Sequence, residues 1–485
     1  MNDDQKAPDT PKGLVNEGHT TIGERLVDVF EEIQEESGIT GMSDYDIAEI
    51  TDAIRDENIE TVTELVTELS IQDTAELLQK VNDEERKSLF ENYGDNFDPQ
   101  IFSYLDSSLR KNLLSDMPAA RVAAIVSDLD SDDALDILED LEDDFQQEII
   151  KKLSAKIRIA MEEGLTFPEE SAGRLMQREY VAIPQFWTVG KTIDYLRAAA
   201  DELPDEFFDL IVINPFYHVV GEIPLNRVLR SKRNEKIENL TLDSLHVIPA
   251  AMDQEEAAHI FRREGLLSAP VVDNDNRLIG VITIDDIIDV IDEEAQEDIL
   301  KLAGVGEGDL YRAVLSTTNS RFRWLFVNLI TAILASVVIS FFDATIEQIV
   351  ALAVLMPIVA SMGGNAGTQA LTVAVRALAT KELSSTNTMR VIWKETLVGT
   401  LNGIAFAMII GVIAALWFSS PMLGIVIGAA MVINLIFAGL FGAGIPILLN
   451  KFGSDPALSS TVLLTTVTDI VGFFGFLGLA SLFLI

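Results

Sequence analysis

One carboxylate stands alone in a long apolar stretch at the end of the chain. Residues 458–485 carry a single charge, at Asp469, and about 28 apolar residues are enough to cross a bilayer as a helix. A carboxylate at that depth costs about 2.5–3.5 kcal/mol or more, so it indicates a functional site. Its helical stripe also carries Thr461, Thr465, Thr468 and Gly472. Hydrogen bonding between membrane helices would explain the threonines, but the aspartate predicts the wall of an ion path.

A second group of polar residues lies in another apolar segment, after Pro357. It consists of the glycines and amides Gly363, Gly364, Asn365 and Gln369. Such residues at mid-membrane are typical of a bent backbone whose freed carbonyls line a cavity. Close packing of helices through small residues is the alternative. Asn365 and Gln369 lie one helical turn apart, so both amides are expected on the ion path.

The acidic excess lies entirely in the first two thirds of the chain. The formal net charge is −42, yet residues 319–485 carry seven basic and six acidic side chains. This excess excludes attraction to nucleic acid or anionic lipid headgroups and suits divalent cations, although a solvated acidic surface would also explain it. The chain has no cysteine and four histidines. Disulfides, thiolate zinc sites and iron–sulfur clusters are therefore excluded, and hard cations with oxygen ligands remain.

Two acidic clusters are candidate sites for regulatory divalent cations. The first lies in a helical region, at Asp132, Asp133 and Asp136. The second consists of Asp285, Asp286, Asp289, Asp292, Glu293, Glu294 and Glu297. Like charges one helical turn apart repel each other, and a divalent cation would relieve that repulsion.

The elements that carry these residues begin with a helical repeat. Residues 1–21 are polar and predict a disordered acidic tail without a signal peptide. Residues 22–165 predict an all-α domain, in which an apolar triplet such as Leu77, Leu78 and Val81 recurs every twelve residues, eight times. No unit can bury its apolar face alone, so the units are expected to stack into a superhelix.

Residues 171–302 change to a mixed α/β pattern. The motif Pro270-Val271-Val272-Asp273, a turn, and Gly280-Val281-Ile282-Thr283 before a helix resemble a CBS module, and a weaker copy precedes it at 208–224. The resemblance implies a tandem CBS pair and a possible ATP cleft, with Thr283 and Asp286 holding ribose and phosphate. The first copy has Pro224 and Asn226 there. A pair that only dimerises and senses ions is the alternative.

A linker helix at 303–320 then leads to a five-helix transmembrane domain at 321–485. Hydropathy predicts spans at about 322–342, 349–378, 391–418, 422–449 and 458–485. Arg321, Arg323, Arg376, Lys394 and Lys451 lie on one side of these spans. These spans predict a protein of the inner (cell) membrane. The excess of basic residues on one side predicts that the acidic domains lie in the cytoplasm and the C-terminus outside.

The order of these parts resembles an MgtE-type magnesium channel. The local motifs agree: Ser171-Ala172-Gly173-Arg174-Leu175-Met176, Gly363-Gly364-Asn365-Ala366-Gly367-Thr368-Gln369, Asp455-Pro456-Ala457-Leu458 and 465–469. The resemblance implies a homodimer with its pore on the two-fold axis, where Asp469 binds hydrated Mg²⁺. It also implies that cytoplasmic Mg²⁺, shared by the acidic domains, a plug-type linker helix and Asp455, holds the pore shut.

Other functions are weighed against this one. A proton-coupled or less selective divalent-cation carrier is the main alternative, since a membrane carboxylate also serves proton relays. An intramembrane aspartyl protease needs two carboxylates that share a proton, and only Asp469 lies at depth. No soluble segment shows nucleophile–base spacing, so no enzyme is expected. Besides a second copy and membrane lipid, neither nucleic acid nor an obligatory protein partner is predicted.

Overall fold

The chain folds into two units, Met1–Thr166 and Phe167–Ile485. This computed structural model describes residues 41–56, 58–94, 96–200, 203–204, 207–242, 244–305, 314–384 and 386–485. The tail predicted for residues 1–21, and residues 22–40 of the predicted helical domain, lie outside the described residues.

Short helices that follow the twelve-residue repeat build the first unit. They are α1 (Asp44–Arg55), α2 (Ile59–Thr67), α3 (Ile71–Lys80), α4 (Asp83–Tyr93), α5 (Ser107–Ser115), α6 (Ala119–Asp128), α7 (Ser131–Glu139), α8 (Asp143–Ile150) and α9 (Ala155–Gly164), with a 3-10 turn at Pro99–Tyr104. Ser70 and Asn82 accept hydrogen bonds from the first turns of α3 and α4, so each starts its helix. Leu77, Leu78 and Val81 are buried, and α6 packs on α8 as α7 does on α9. The predicted stack of helical repeats is confirmed.

Two small sheets of equal topology form the α/β part. In the first, β1 (Ala182–Pro184) runs parallel to β2 (Asp209–Ile213), which is antiparallel to β3 (Val219–Pro224). The second repeats this order with β4 (Ile248–Pro249), β5 (Ser268–Val272) and β6 (Leu278–Thr283). The helices are α10 (Ala172–Leu175), α11 (Val189–Ala198), α12 (Leu225–Arg230), α13 (Gln254–Glu264) and α14 (Ile284–Ala303), with a 3-10 turn at Ile237–Asn239. The predicted CBS pair is confirmed.

The membrane part is all helical. Its helices are α15 (Val314–Ser340), α16 (Asp343–Gln348), α17 (Ala351–Ala379), α18 (Thr388–Trp417), α19 (Pro421–Lys451) and α20 (Pro456–Phe483). All of these except α16 are long and apolar enough to cross a membrane, and they are the five such helices among the described residues. The most apolar window of α19 is 61% buried and that of α15 only 6%, so α19 is the centre of the bundle and α15 lies at its edge.

The second span is one continuous helix, which corrects the expectation of a bent backbone around the glycines. α17 runs through Pro357 and the Gly363-Gly364 pair without a break. Gly363 and Gly367 are buried because they let α19 and α20 approach closely. The glycines therefore serve helix packing, and their carbonyls stay in the helical hydrogen-bond ladder.

The linker predicted at 303–320 begins where α14 ends. Gly304 adopts a left-handed conformation, with a φ of 69°, and terminates α14. The Trp324 side chain lies against Gly304, in space that a Cβ would fill. The next described helix, α15, starts at Val314, and residues 306–313 of the predicted linker helix lie outside the described residues.

Candidate functional site

Asp469 lies in the middle of α20 and is partly exposed. Within the described part of one chain, no hydrogen bond or ion pair reaches its carboxylate. The threonines of the predicted stripe around Asp469 differ in their exposure to solvent. Thr465 is exposed and donates to the Thr461 carbonyl at 2.9 Å, whereas Thr468 is buried and donates to the Leu464 carbonyl at 3.1 Å. Both hydroxyls donate within their own helix, and Asp469 is the charged group of the stripe.

The glycine–amide segment of α17 presents two faces. Gly363 faces inward, and a Cβ on it would collide with the Asn434 side chain. Gly364 borders open space, and Asn365 and Gln369 are exposed on the surface of the single chain. Amides in a membrane span are not stable against hydrocarbon. The exposed face must therefore meet water or another polypeptide.

Asn434 is a buried polar residue that the sequence reasoning missed. It lies in α19 with no exposed surface, and its Nδ2 donates to the Val359 carbonyl of α17 at 2.8 Å. Its amide also lies against Gly472 of α20. The signal available in the sequence was an amide in the middle of a 31-residue helix that is otherwise apolar up to its last two residues.

A junction of α14 with α20 connects the CBS pair to the helix of Asp469. Lys301 forms ion pairs with Glu297 of its own helix and with Asp455, where Nζ lies 2.9 Å from Oδ2. Asp455 also caps α20, since its Oδ1 accepts the Ala457 N–H at 2.7 Å. Thr461 donates its hydroxyl to the Leu302 carbonyl at 3.1 Å. Thr461, predicted as a pore residue, is thus bonded to the end of α14.

Electrostatics at this junction are dominated by carboxylates. Burial would lower the pKa of the Lys301 ammonium, but Glu297 and Asp455 outweigh it and raise that pKa. Burial and the nearby Asp455 raise the pKa of Asp298, while Lys301 opposes the rise. Asp298 belongs to the predicted acidic run but was not among the candidate ligands. The α14–α20 junction, meaning Glu297, Asp298, Lys301 and Asp455, therefore has three carboxylates and one ammonium.

The remaining carboxylates of α14 are spread over other faces. Asp285, Asp289, Asp292 and Glu293 are exposed. Burial, with help from Asp285 and Asp292, raises the pKa of Asp289, and Glu294 accepts the Gln254 amide at 2.9 Å. Among the residues that the structure describes, no three Asp, Glu or His side chains come together in a group that could hold a metal ion.

The acidic cluster in the helical unit surrounds a buried arginine. Arg110 is 4% exposed, and its guanidinium lies 2.7 Å from Asp136 and 2.6 Å from Asp140. Burial raises the pKa of Asp133 to about 6, and Asp132 Oδ1 accepts the Asp133 N–H. Asp136 is thus already neutralised by an internal cation, while Asp132 and Asp133 lie in the first turn of α7.

The two residues predicted to hold a nucleotide form a helix cap. Thr283 donates its hydroxyl to Asp286 Oδ2 at 2.7 Å, and Asp286 also accepts the Thr283 N–H at 3.3 Å. This is a capping box at the start of α14. The hydrogen bonds of the cap account for both residues without a nucleotide. Nucleotide binding by Thr283 and Asp286 stays a prediction.

Models of known protein families match three ranges of the chain. The model of the MgtE intracellular N domain matches residues 69–170, that of the CBS domain matches 237–293, and the MgtE model, described as a divalent cation transporter, matches 356–479. Two solved structures match about half of the chain. The soluble part of a magnesium transporter has a TM-score of 0.45 at 25% identity and covers 52% of this chain and 98% of its own. The cytosolic domain of the Mg²⁺ channel MgtE in complex with ATP has a TM-score of 0.46 at 24% identity, with 50% and 99% covered.

Curated relatives span most of the chain. The magnesium transporter MgtE of Bacillus subtilis is 33% identical over 337 residues, which cover 69% of this chain and 74% of the relative. That of Thermus thermophilus is 32% identical over 335 residues, which cover 68% and 74%. At this identity and coverage, the chain belongs to the MgtE family.

Proposed function

We propose that this chain forms a magnesium-selective channel for Mg²⁺ uptake, closed by cytoplasmic Mg²⁺. The observation that carries the proposal is the Asp469 carboxylate, which is partly exposed in the middle of a membrane helix and has no partner among the described residues. The relatives are named magnesium transporters, and that cargo suits the site. Mg²⁺ gives up its water reluctantly and is held by one or two carboxylates through its hydration shell.

The pore is proposed to form between two copies of the chain. Asn365, Gln369 and Thr465 are exposed on the membrane surface of one chain. Lipid cannot satisfy the two amides, whereas the Thr465 hydroxyl donates within α20. A second copy that presents the same face across a two-fold axis would enclose them with water and pair two Asp469 carboxylates around the ion.

The absence of cysteine makes the dimer directly testable. A single Gln369→Cys variant is expected to form a disulfide dimer in membranes under mild oxidation. Leu401→Cys is the matched control, because Leu401 is 61% exposed on α18 and is expected to face lipid. Efficient cross-linking of the control, or none of Gln369→Cys, would contradict the arrangement.

Closure is proposed to act through the α14–α20 junction. Divalent cations that neutralise the acidic cytosolic surfaces would favour one position of α14, and α14 is bonded to α20 at Asp455 and Thr461. A change in α14 would therefore be transmitted to the helix that carries Asp469. Asp285, Asp289 and Asp292 are the exposed carboxylates on α14 that such cations would meet first.

The orientation follows from the basic residues around the spans. Lys381 follows α17 and lies near Glu255 of the CBS pair, so the CBS pair is on the side of the basic loops. By the positive-inside rule we propose that this side is cytoplasmic and that the C-terminal end of α20 is outside.

ATP is proposed as a second ligand of the CBS pair, at Thr283 and Asp286. Because these residues also form the cap of α14, bound nucleotide would stabilise the start of that helix. Calorimetric titration of the purified protein with ATP tests this. Asp286→Asn is expected to weaken binding, and equal binding by wild type and variant would contradict the site.

The decisive experiment is the Mg²⁺ current of purified protein in patches, with cytoplasmic Mg²⁺ varied. Wild type is expected to conduct at low cytoplasmic Mg²⁺ and to close as it rises, and Asp469→Asn is expected to lose selective current. Asp343→Asn is the matched control, since Asp343 begins the short helix α16 at the end of a span. Normal Mg²⁺ current through Asp469→Asn would refute the pore assignment. Uptake that follows the proton gradient would favour a proton-coupled carrier instead.

A further inference from the structure

Asn434 is the place where three membrane helices meet. The side chain has no exposed surface, and its Nδ2 donates across to the Val359 carbonyl of α17 at 2.8 Å. In the part of the chain that the structure describes, its Oδ1 has no hydrogen-bond partner. An unpaired amide oxygen in an apolar interior is costly, and apolar packing alone would not require an amide here.

Two glycines make room for this amide. A Cβ on Gly363 would lie 2.2 Å from Asn434 Nδ2, and a Cβ on Gly472 would lie 2.8 Å from it. Real Cβ atoms essentially never approach another heavy atom within 3.0 Å, so alanine at either position would force the Asn434 amide to shift. Because each glycine has a hydrogen where other residues have a Cβ, the space nearest Nδ2 stays free for the amide.

The contact links the two segments predicted to carry the ion path. Gly363 lies two residues before the exposed Asn365, and Gly472 lies one helical turn after Asp469. The amide therefore fixes both the distance between α17 and α20 and the rotation of α20 about its axis. A rotation of α20 would move the Asp469 carboxylate off the exposed face.

We propose that Asn434 is a positioning residue for ion selection, which holds Asp469 of α20 in register with the Asn365 segment of α17. The inference rests on the proposed function, in which Asp469 binds the permeating cation. Asn434 does not touch that cation, because its amide is enclosed by Val359, Gly363 and Gly472.

The test combines Asn434→Ala, Gly472→Ala and the double variant. Single-channel selectivity for Mg²⁺ over Ca²⁺ and the half-saturating Mg²⁺ concentration are measured together with thermal stability in detergent. Asn434→Ala is expected to raise the half-saturating concentration about tenfold, since misplacement by about 1 Å costs up to about a hundredfold at positioned sites. Gly472→Ala collides with the amide and is expected to lose selectivity. The double variant removes the colliding amide and is expected to regain selectivity relative to Gly472→Ala.

Four results separate the possible failures. If Asn434→Ala lowers only thermal stability, with selectivity and half-saturation unchanged, Asn434 is a structural contact and the inference is wrong. If the double variant is no better than Gly472→Ala, the amide is not what meets Gly472, and the inference is also wrong. If Asp469→Asn conducts normally in the same series, the assignment of Asp469 to the pore fails. If wild type itself carries no Mg²⁺-selective current, the proposed function fails.

A second variant covers the case in which Asn434→Ala does not fold. Asn434→Asp has nearly the same shape, and its protonated acid can still donate to the Val359 carbonyl, whereas the carboxylate cannot. A carboxyl group enclosed in an apolar interior without a cation stays protonated at neutral pH, so we expect this variant to keep the bond and a selectivity near that of wild type. A folded Asn434→Asp protein that loses selectivity at neutral pH would overturn the inference.

Discussion

Two carboxyl groups of the first CBS copy, Asp209 and Glu222, contact Ser268 of the second copy. We expect this pair to make the stability of the CBS copies depend on pH. Ser268 of β5 donates to Asp209 Oδ2 of β2 at 2.8 Å and lies 3.4 Å from Glu222 Oε1 of β3. Glu222 is 5% exposed. Burial, reinforced by the charge of Asp209 and a hydrogen bond to it, raises the pKa of Glu222 to about 8, although Ser268 opposes the rise. Among the described residues, no basic side chain acts on Glu222.

The direction of the pH dependence follows from comparing Glu222 in the folded and unfolded states. Unfolded Glu222 has the ordinary pKa of 4.5, so at intermediate pH the folded chain holds a proton that the unfolded chain releases. The stabilising contribution is complete below pH 4.5 and is lost as the pH rises to about 8. At about 1.4 kcal/mol per pH unit, the loss is on the order of 4 kcal/mol.

Glu222→Gln removes the charge and keeps the shape. Its Nε2 can donate to Asp209 as the protonated acid does, so the variant is expected to match wild type at low pH. At pH 8 it should be more stable by about 4 kcal/mol, or about a thousandfold in the opening equilibrium. Hydrogen exchange of β2 and β3 peptides in the full-length protein in detergent, corrected for the intrinsic rate, measures this.

The matched control is Glu238→Gln. Glu238 is exposed and pairs with Lys236 in the same CBS copy, so its replacement should leave the pH dependence of exchange unchanged. The reasoning is refuted if Glu222→Gln exchanges with the pH dependence of wild type, because the proton would then not be held at this pair.

Three further variants test other contacts. Lys301→Gln should lower the cytoplasmic Mg²⁺ concentration needed to close the channel by about tenfold. The reason is that the Lys301 ammonium, 2.9 Å from Asp455, repels a divalent cation from that carboxylate. Patch currents measure this, with the exposed Lys394→Gln as control. Arg110→Ala should cost about 1–3 kcal/mol of stability of the helical unit, measured by hydrogen exchange, because it leaves the partly buried Asp140 carboxylate without its cation. Gly367→Val should destabilise the membrane bundle by about 1–3 kcal/mol in thermal unfolding, since a Cβ there lies 2.9 Å from the Leu464 side chain.

Each of these has a contrary outcome. A higher closing concentration in Lys301→Gln would mean that the ion pair with Asp455 itself holds the channel shut. Unchanged exchange in Arg110→Ala would mean that its carboxylate partners are solvated without it. Equal unfolding temperatures of Gly367→Val and Gly364→Ala would contradict the packing role, because a Cβ at Gly364 meets only open space.

The sequence alone determined the elements whose signals are local. Each twelve-residue unit carries its own apolar triplet and cap, so the helical repeats could be predicted one at a time. The CBS pair followed from hairpin motifs within a few residues of each other, and the five spans followed from continuous hydropathy. Asp469 was identified in the same way, because one charge in an apolar stretch is visible without any partner.

Only the tertiary structure decided which residues meet. The carbonyl bonded by Asn434 lies 75 residues away, and Thr461 donates to a carbonyl 159 residues away. No periodicity encodes contacts at such separations, which depend on how close the helices pack. For that reason the glycines of α17 were predicted to bend the chain and instead make room for α19 and α20. For the same reason the acidic run of α14 could be identified from sequence, while the pairing of Lys301 with Asp455 could not.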